Sequence, residues 1–276
     1  MLIGLVIFLL GLFAGAFGSL VGLGGGVFIV PGLLFLGEHV QSLDYMVPQI
    51  AVGTSVIVII FAAASSTITY AKQDKVDFKS GAFFFLASGP GSILGAYVNT
   101  FLHTEAFHFI FGSILLVIFY FLIRKQGLKP KNIRWHVTRQ ITDQDGKVYE
   151  FGYHKYLALG ICLFVGLMQG MLGIGGGSIL VPAMILLFWY PTHMAIATSM
   201  FVILLSSITG SISHIVLGNV DWSLLLWLAP AAWIGGRLGA TLSQKFQSIW
   251  LTNLLRVVIF LLAIHAIWQG VSIHFS

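Results

Sequence analysis

The segment that most constrains the fold of this chain is Gly22-Leu23-Gly24-Gly25-Gly26, which lies between two apolar runs. Four glycines in five residues disfavour a continuous helix, because each costs about 1 kcal/mol relative to alanine inside one. In a membrane, non-helical backbone is tolerated only where protein covers it or where it lines a wet cavity. The pattern returns at residues 173–177, and a proline follows each copy at the same distance. We therefore predict two broken helices that face each other across a solute site.

The composition indicates a membrane protein. Of the 276 residues, 58% are hydrophobic and 8% are charged, whereas soluble domains carry about 25% charged residues. We expect an all-α polytopic protein that lies in the lipid bilayer of the cell membrane. The net charge of +5 comes from residues 124–155, which hold eight Lys or Arg and three acids. Because the charge is confined to one loop, the high pI does not indicate a nucleic-acid partner, and a basic loop is typical of the cytoplasmic face.

The second half of the chain repeats the first. Beyond the glycine segments, residues match at an offset of 144, so that Thr54-Ser55 aligns with Thr198-Ser199 and Gln49 with His193. The glycine segments are 151 residues apart, which places seven extra residues in the loop 37–47 of the first half. We expect two homologous membrane repeats, residues 1–124 and 155–276, joined by the basic cytoplasmic loop 125–154.

Charges in matching loops indicate that the two repeats are inverted. Loop 72–79 holds three lysines, whereas the matching loop 217–221 holds none. Loop 99–105 has no Lys or Arg, whereas its partner region holds Lys245. Since Lys and Arg concentrate on the cytoplasmic side, the repeats should have opposite orientations, with about five segments each when the short run after each glycine segment is counted. A parallel arrangement with four spans in each half stays open.

The basic loop contains a hairpin signal. Residues 135–142 and 147–153 are rich in Val, Ile, Tyr and Phe, and they flank an Asp-Gly turn at residues 145–146. This pattern is typical of a β-hairpin. We expect a small cytoplasmic β-hairpin, and a floppy linker is the competing interpretation.

The candidate site consists of the glycines and of polar residues placed near them. A helix is expected after each glycine segment, at Val27 and Ser178, and the N–H groups at a helix start attract anions. The competing interpretation is that the glycines only permit tight helix packing and that the hydroxyls bond to their own helix. The predicted substrate-binding residues are Gly22, Gly24, Gly25, Gly26, Thr54, Ser55, Gly173, Gly175, Gly176, Gly177, Thr198, Ser199 and Arg237.

Two of the candidates are ionisable. Arg237 interrupts an apolar helix, where an ionisable group is by default a functional candidate. His193 is a candidate for proton coupling, because the unperturbed histidine pKa is about 6.5.

The paired motifs resemble the sulfite exporter TauE/SafE family of membrane permeases, also called TSUP. The resemblance rests on Gly-(Leu/Ile)-Gly-Gly-Gly followed by (Ile/Leu)-Val-Pro, on a Thr-Ser pair and on Gly-x-x-x-Gly-Ala in each half, and it covers residues 1–124 and 155–270. It implies transport of small sulfur-containing anions such as sulfite, sulfonates or sulfoacetate, in a direction that it does not fix. The basic loop is not part of the shared pattern.

We therefore expect a secondary transporter of a small sulfur-containing anion across the cytoplasmic membrane. Signatures of metalloproteases, hydrolases and P-loop nucleotide binding are absent from the sequence, so we expect no enzyme activity, no metal and no cofactor. The alternatives are a channel-like pore for small solutes and a membrane sensor or scaffold that acts through the basic loop. Proton coupling and a homodimeric assembly are left open.

Overall fold

The structure is a computed structural model that describes residues 2–102, 104–124, 135–142 and 148–274. Ten α-helices and one two-stranded sheet occupy these described residues. The helices of the first half are α1 Leu2–Val21, α2 Gly26–His39, α3 Pro48–Ala71, α4 Phe78–Asn99 and α5 Thr104–Arg124. Those of the second half are α6 Lys155–Leu172, α7 Gly177–Leu186, α8 Thr192–Val216, α9 Trp222–Ser243 and α10 Ser248–His274.

Six helices of the described part of the chain, α1, α3, α4, α6, α8 and α10, contain segments long and apolar enough to cross a membrane. The helices α2 and α7, of 14 and 10 residues, are shorter than the roughly 20 residues that a full span needs. The prediction of a multi-pass helical membrane protein, with a short helix after each glycine segment, is confirmed. The apolar run after the second glycine segment predicts a short helix over residues 178–190. The helix ends at Leu186 instead, and the connection that follows turns at Trp189, which takes a positive φ of 60°, before Pro191.

Capping residues explain where the fourth helix of each half begins. Before α4, the Asp77 carboxylate accepts the N–H of Ser80 at 3.1 Å. Before α9, the Asp221 carboxylate accepts the N–H of Ser223 at 2.9 Å. An aspartate at this position satisfies N–H groups that have no partner within the helix, so each carboxylate fixes the start of its helix.

The first helix of each half packs against the fourth helix of the other half. A Cβ added at Gly15 of α1 would lie 2.6 Å from the carbonyl oxygen of Ala232 in α9, and one added at Gly166 of α6 would overlap that of Ser88 in α4. The two contacts occupy matching positions of the repeats. Small residues allow helix backbones to approach this closely, and each half is therefore completed by a helix of the other.

The third helices, α3 and α8, form the centre of the molecule and run in opposite directions. Thr54, near the start of α3, bonds to Asp221, which lies just after the end of α8. Thr198, near the start of α8, bonds to Asp77, which lies just after the end of α3. Most residues of both helices are buried.

The expected hairpin is present between the two halves. Strand β1, Val137–Thr142, pairs antiparallel with β2, Val148–Tyr153, in one continuous register. The Asp-Gly turn on which its prediction rested lies outside the described residues. The linker interpretation is wrong for β1 and β2.

The hairpin is docked on the helices through aromatic side chains. Phe151 and Tyr153 of β2 are 1% and 3% exposed. The Tyr153 ring contacts Phe84 of α4 and Phe188 of the α7–α8 connection, at centroid distances of 4.9 and 5.7 Å. The backbone of Gly152 donates to the Phe188 carbonyl at 3.0 Å, so β2 also bonds directly to this connection.

Candidate functional site

The two glycine segments, Gly22–Gly26 and Gly173–Gly177, are called the first and second glycine breaks. Their first, third and fourth positions all take a positive φ, a conformation that residues with a side chain rarely adopt. These φ values are 79°, 82° and 91° at Gly22, Gly24 and Gly25, and 67°, 80° and 63° at Gly173, Gly175 and Gly176.

The last glycine of each break, at its fifth position, touches the opposite break. A Cβ added at Gly26 would overlap the carbonyl oxygen of Gly173, and one added at Gly177 would overlap that of Gly22. All residues of both breaks are buried. The predicted meeting of the two breaks therefore takes the form of direct backbone contact, which we call the crossing.

Each break ends at a helix start that lacks a side-chain cap. The residues before α2 and α7 are Gly25 and Gly176, and neither offers a side-chain oxygen. Within the described residues, the N–H groups of Gly26, Val27 and Ser178 have no hydrogen-bond acceptor. Because buried backbone N–H groups are nearly always paired, these donors at the crossing are available to a bound anion.

The serines of the two Thr-Ser pairs hold the glycine breaks in place. The Ser55 hydroxyl donates to the carbonyl oxygen of Gly173 at 3.2 Å. The Ser199 hydroxyl is shared between the carbonyl oxygen of Gly22 at 3.0 Å and that of Ile196, in its own helix, at 2.8 Å. Both serines are fully buried. Each third helix thus secures the break of the other half.

The threonines of these pairs bind the starts of the fourth helices. The Thr54 hydroxyl accepts the Asp221 N–H at 2.9 Å, and the Thr198 hydroxyl accepts the Asp77 N–H at 3.0 Å. The four hydroxyls therefore make matching contacts between the halves, and their direct contact with a substrate stays a prediction.

Each of the two capping aspartates also receives a tyrosine hydroxyl, and we call these bonds the Tyr–Asp contacts. Tyr190 donates to Asp77 at 3.1 Å, and Tyr45 donates to Asp221. Burial, followed by the bond to Asp221, raises the pKa of Tyr45 to about 12. Burial alone would raise the pKa of Asp221, but the hydrogen bonds from Ser223 and Tyr45 outweigh it and hold this pKa below its usual value. The sequence did not reveal these pairs. Tyr45 and Tyr190 lie in corresponding loops that differ in length between the two halves, so the repeat alignment does not match them.

The hairpin adds to one of the Tyr–Asp contacts. Nε of Arg139, in β1, lies 3.9 Å from the Asp77 carboxylate. The Tyr153 hydroxyl donates to that of Ser80, in the first turn of α4, at 3.3 Å. The hairpin therefore closes over the start of α4.

The two ionisable candidates do not lie at the crossing. Arg237 is on the exposed face of α9 with Trp233 and Leu238, whereas the adjacent Gly236 faces α3. His193 is the second residue of α8 and is half-buried. Substrate contact by Arg237 and proton coupling by His193 stay predictions.

Sequence reasoning missed a polar residue beside the second break. Gln169 of α6 is fully buried and bonds to the hydroxyls of Ser206 and Ser207 in α8. The sequence does contain a signal for it, because Gln169 is a carboxamide within an otherwise apolar membrane segment. Burying such a polar group in a membrane is costly unless it has hydrogen-bond partners.

Helices that break and meet in the interior of a multi-pass protein are typical of secondary membrane transporters. The sequence comparisons agree with this class. The profile of the family described as sulfite exporter TauE/SafE matches residues 7–266, and the chain belongs to this family of membrane transporters.

Several curated relatives are named as membrane transporters. The chain is 44% identical over 268 residues to the probable membrane transporter protein YunE of Bacillus subtilis, which covers 96% of this chain and 98% of the relative. It is 29% identical to a probable membrane transporter protein of Methanocaldococcus jannaschii, over 88% of this chain and 87% of the relative. It is 27% identical to the probable membrane transporter protein YdhB of Bacillus subtilis, over 95% of this chain and 96% of the relative. No solved structure matches the chain.

Proposed function

We propose that the protein is a secondary transporter that carries a small sulfur-containing oxyanion, such as sulfite or a sulfonate, across the cytoplasmic membrane. The anion binds at the crossing of the glycine breaks. The observation that carries this proposal is the pair of uncapped helix starts, with the buried N–H groups of Gly26, Val27 and Ser178 lacking an acceptor within the described chain. Membership of the TauE/SafE family supports the same substrate class.

The surroundings of the crossing favour an anion of low charge. The helices α1, α2, α3, α7 and α8 contain no Lys or Arg. A bound anion is therefore held by N–H and hydroxyl donors and by the helix dipoles alone. The cost of removing an ion from water rises steeply with its charge, so a monoanion, such as a monosulfonate or the singly protonated form of sulfite, binds in preference to a dianion such as sulfate.

We assign opposite membrane orientations to the two halves. The antiparallel course of α3 and α8 and the matching contacts between halves support inverted repeats. The positive-inside rule then places the lysine-rich loop 72–79 and the hairpin in the cytoplasm. Single cysteines at Gly218 and Gln247 test this, since the native Cys162 is buried. Labelling of 218 from outside and of 247 only from inside supports inversion, and the reverse pattern excludes it.

Transport then requires the site to open to one side at a time. The two Tyr–Asp contacts lie at opposite ends of the antiparallel α3–α8 pair, so each closes one side of the crossing. Rocking of one repeat against the other breaks the Tyr45–Asp221 contact in one state and the Tyr190–Asp77 contact in the other. Such rocking about a fixed central site is the general behaviour of inverted-repeat transporters.

The direct test is uptake into proteoliposomes of labelled sulfite and ethanesulfonate, with acetate as a carboxylate control. We expect saturable uptake of the sulfur anions that is lost in Gly25→Leu and in Gly176→Leu, because both positions require a positive φ. The matched control is Gly160→Leu, an exposed helical glycine with no atom within 4 Å of the added Cβ. Absence of saturable anion uptake by the wild type would overturn the proposal, and uptake that rises linearly with concentration would indicate a pore.

A further inference from the structure

We propose that the second glycine break carries a polar subsite, formed by Gln169, Ser178, Ser206 and Ser207, that binds the oxyanion head of the substrate. The N–H groups of Gly26 and Val27 at the first break also hold this head, while the buried side chains of Val27, Ala62 and Ala63 in the first half face the apolar part of the same molecule. This inference rests on the proposed transport function and narrows its substrate to a short organosulfonate, in preference to a symmetric inorganic anion.

The carboxamide of Gln169 lies against the second break. Its Nε2 donates to the Ser207 hydroxyl at 2.7 Å, and its Oε1 accepts from the Ser206 hydroxyl at 2.9 Å. A Cβ added at Gly176, the residue before α7, would lie 2.8 Å from this Oε1. The buried amide and its two hydroxyls thus lie beside the uncapped start of α7.

Ser178 adds a donor that has no partner. It is the second residue of α7 and is fully buried. Its hydroxyl oxygen has no hydrogen-bond partner among the described residues, and neither has its backbone N–H. An unpaired buried hydroxyl is unfavourable, and an oxyanion at the helix start satisfies both donors of this residue together.

The first half has no equivalent polar group at these positions. In the repeat alignment, the places of Gln169, Ser178, Ser206 and Ser207 are taken by Gly18, Val27, Ala62 and Ala63, which are all buried. Elsewhere at the crossing the halves match, as the contacts of Ser55 and Ser199 show. At these positions the side chains are therefore polar beside the second break and apolar beside the first, whereas backbone N–H donors are present at both. This suits a molecule with an oxyanion head and a short hydrocarbon tail.

The alternative is that Gln169 and its serines serve only to fasten α6 to α8. A fastening role changes the amount of folded protein and with it the maximal rate of uptake, whereas a subsite for the oxyanion head changes the apparent affinity for every anion that carries this head. The concentration dependence of ethanesulfonate and sulfite uptake into proteoliposomes separates the two roles, because apparent affinities do not depend on the amount of folded protein.

In this assay, we expect Ser178→Val to reduce the apparent affinity for both ethanesulfonate and sulfite about tenfold, the effect of losing one hydrogen bond to a charged group. Gln169→Leu should lower both apparent affinities in the same direction. The reciprocal variant Val27→Ser, which gives the apolar side a hydroxyl, should raise the relative affinity for sulfite. The control is Ser66→Ala, since this buried serine bonds only within α3 and its loss should leave both apparent affinities and their ratio unchanged.

The possible outcomes separate this inference from the proposed function. If the wild type shows no saturable uptake of either anion, the transport function itself fails. The subsite is excluded, while the transport function stands, if the wild type transports both anions but prefers sulfite. It is also excluded if Ser178→Val leaves both apparent affinities at the wild-type values, or if Val27→Ser leaves their ratio unchanged.

Discussion

Ser199 donates its hydroxyl to the carbonyl oxygen of Gly22, 177 residues earlier in the chain, and Ser55 makes the same bond to Gly173 in the opposite half. Each glycine break is therefore attached to the third helix of the other repeat. As a result, a movement of α3 or α8 is transmitted directly to the break that it holds. The two halves do not form separate units, because each depends on the other for the position of its break.

The close contact at the crossing predicts a strong effect of a single methyl group. Gly177→Ala places a Cβ on the carbonyl oxygen of Gly22, and overpacking of this kind destabilises proteins by about 1–3 kcal/mol. Thermal unfolding in detergent should show this loss. Gly160→Ala is the control, with open space around the new methyl group, and it should raise stability by up to about 1 kcal/mol. Equal effects of the two substitutions would refute the contact.

The threonine contacts predict a difference between two small substitutions. Thr54→Val keeps the shape of the side chain but leaves the partly buried Asp221 N–H without its acceptor, which costs about 1 kcal/mol. Thr54→Ser keeps the oxygen and should cost clearly less. The same pair at Thr198 tests the matching bond to Asp77. The bonds would be unimportant if valine and serine gave the same unfolding temperature.

Docking of the hairpin should depend on aromatic packing more than on charge. Phe151→Ala removes a fully buried ring, and such truncations cost about 3–5 kcal/mol. Arg139→Gln removes an ion pair at 3.9 Å whose arginine side chain is one-third exposed, and pairs of this kind contribute at most about 1 kcal/mol. Hydrogen exchange of the β2 amides should therefore accelerate far more in the first variant. The reverse order would show that the ion pair holds the hairpin.

The Tyr45–Asp221 contact should persist at neutral pH. Because the pKa of Tyr45 is raised in the folded protein, its contribution to the free energy of unfolding is complete below the ordinary tyrosine pKa of about 10 and is lost as the pH rises through about 12. Because the pKa of Asp221 is lowered in the folded protein, its contribution to the free energy of unfolding is present above the ordinary aspartate pKa of about 3.9. It is lost as the pH falls through the lower pKa of the folded state. The difference in phenolate absorbance between the wild type and Tyr45→Phe, followed against pH, measures the ionisation of Tyr45. A Tyr45 pKa of about 10 in this titration would contradict the contact.

Much of this architecture follows from local sequence. The glycine breaks, the short helices that follow them and the hairpin were all predictable, because each depends on residues close together in the chain. The end of α7 was predicted too late, since hydropathy does not show the left-handed turn at Trp189. Apolar composition continues through that turn, so only the backbone geometry reveals it.

Contacts between distant residues were not predictable in the same way. The duplication indicated that the breaks meet, but not that Gly26 and Gly177 each touch the opposite backbone. The Tyr–Asp contacts and the Gln169 cluster depend on which helices become neighbours. The sequence of a single repeat carries no information on a partner in the other half, so these features required the structure.

The central claim, that the two glycine breaks form a single anion site, is tested most directly by equilibrium binding of labelled ethanesulfonate to the purified protein. We expect one anion per chain, with binding lost in Gly26→Ala and, separately, in Gly177→Ala, and retained in Gly160→Ala. Two anions per chain, or one anion whose binding survives both substitutions at the crossing, would contradict the claim.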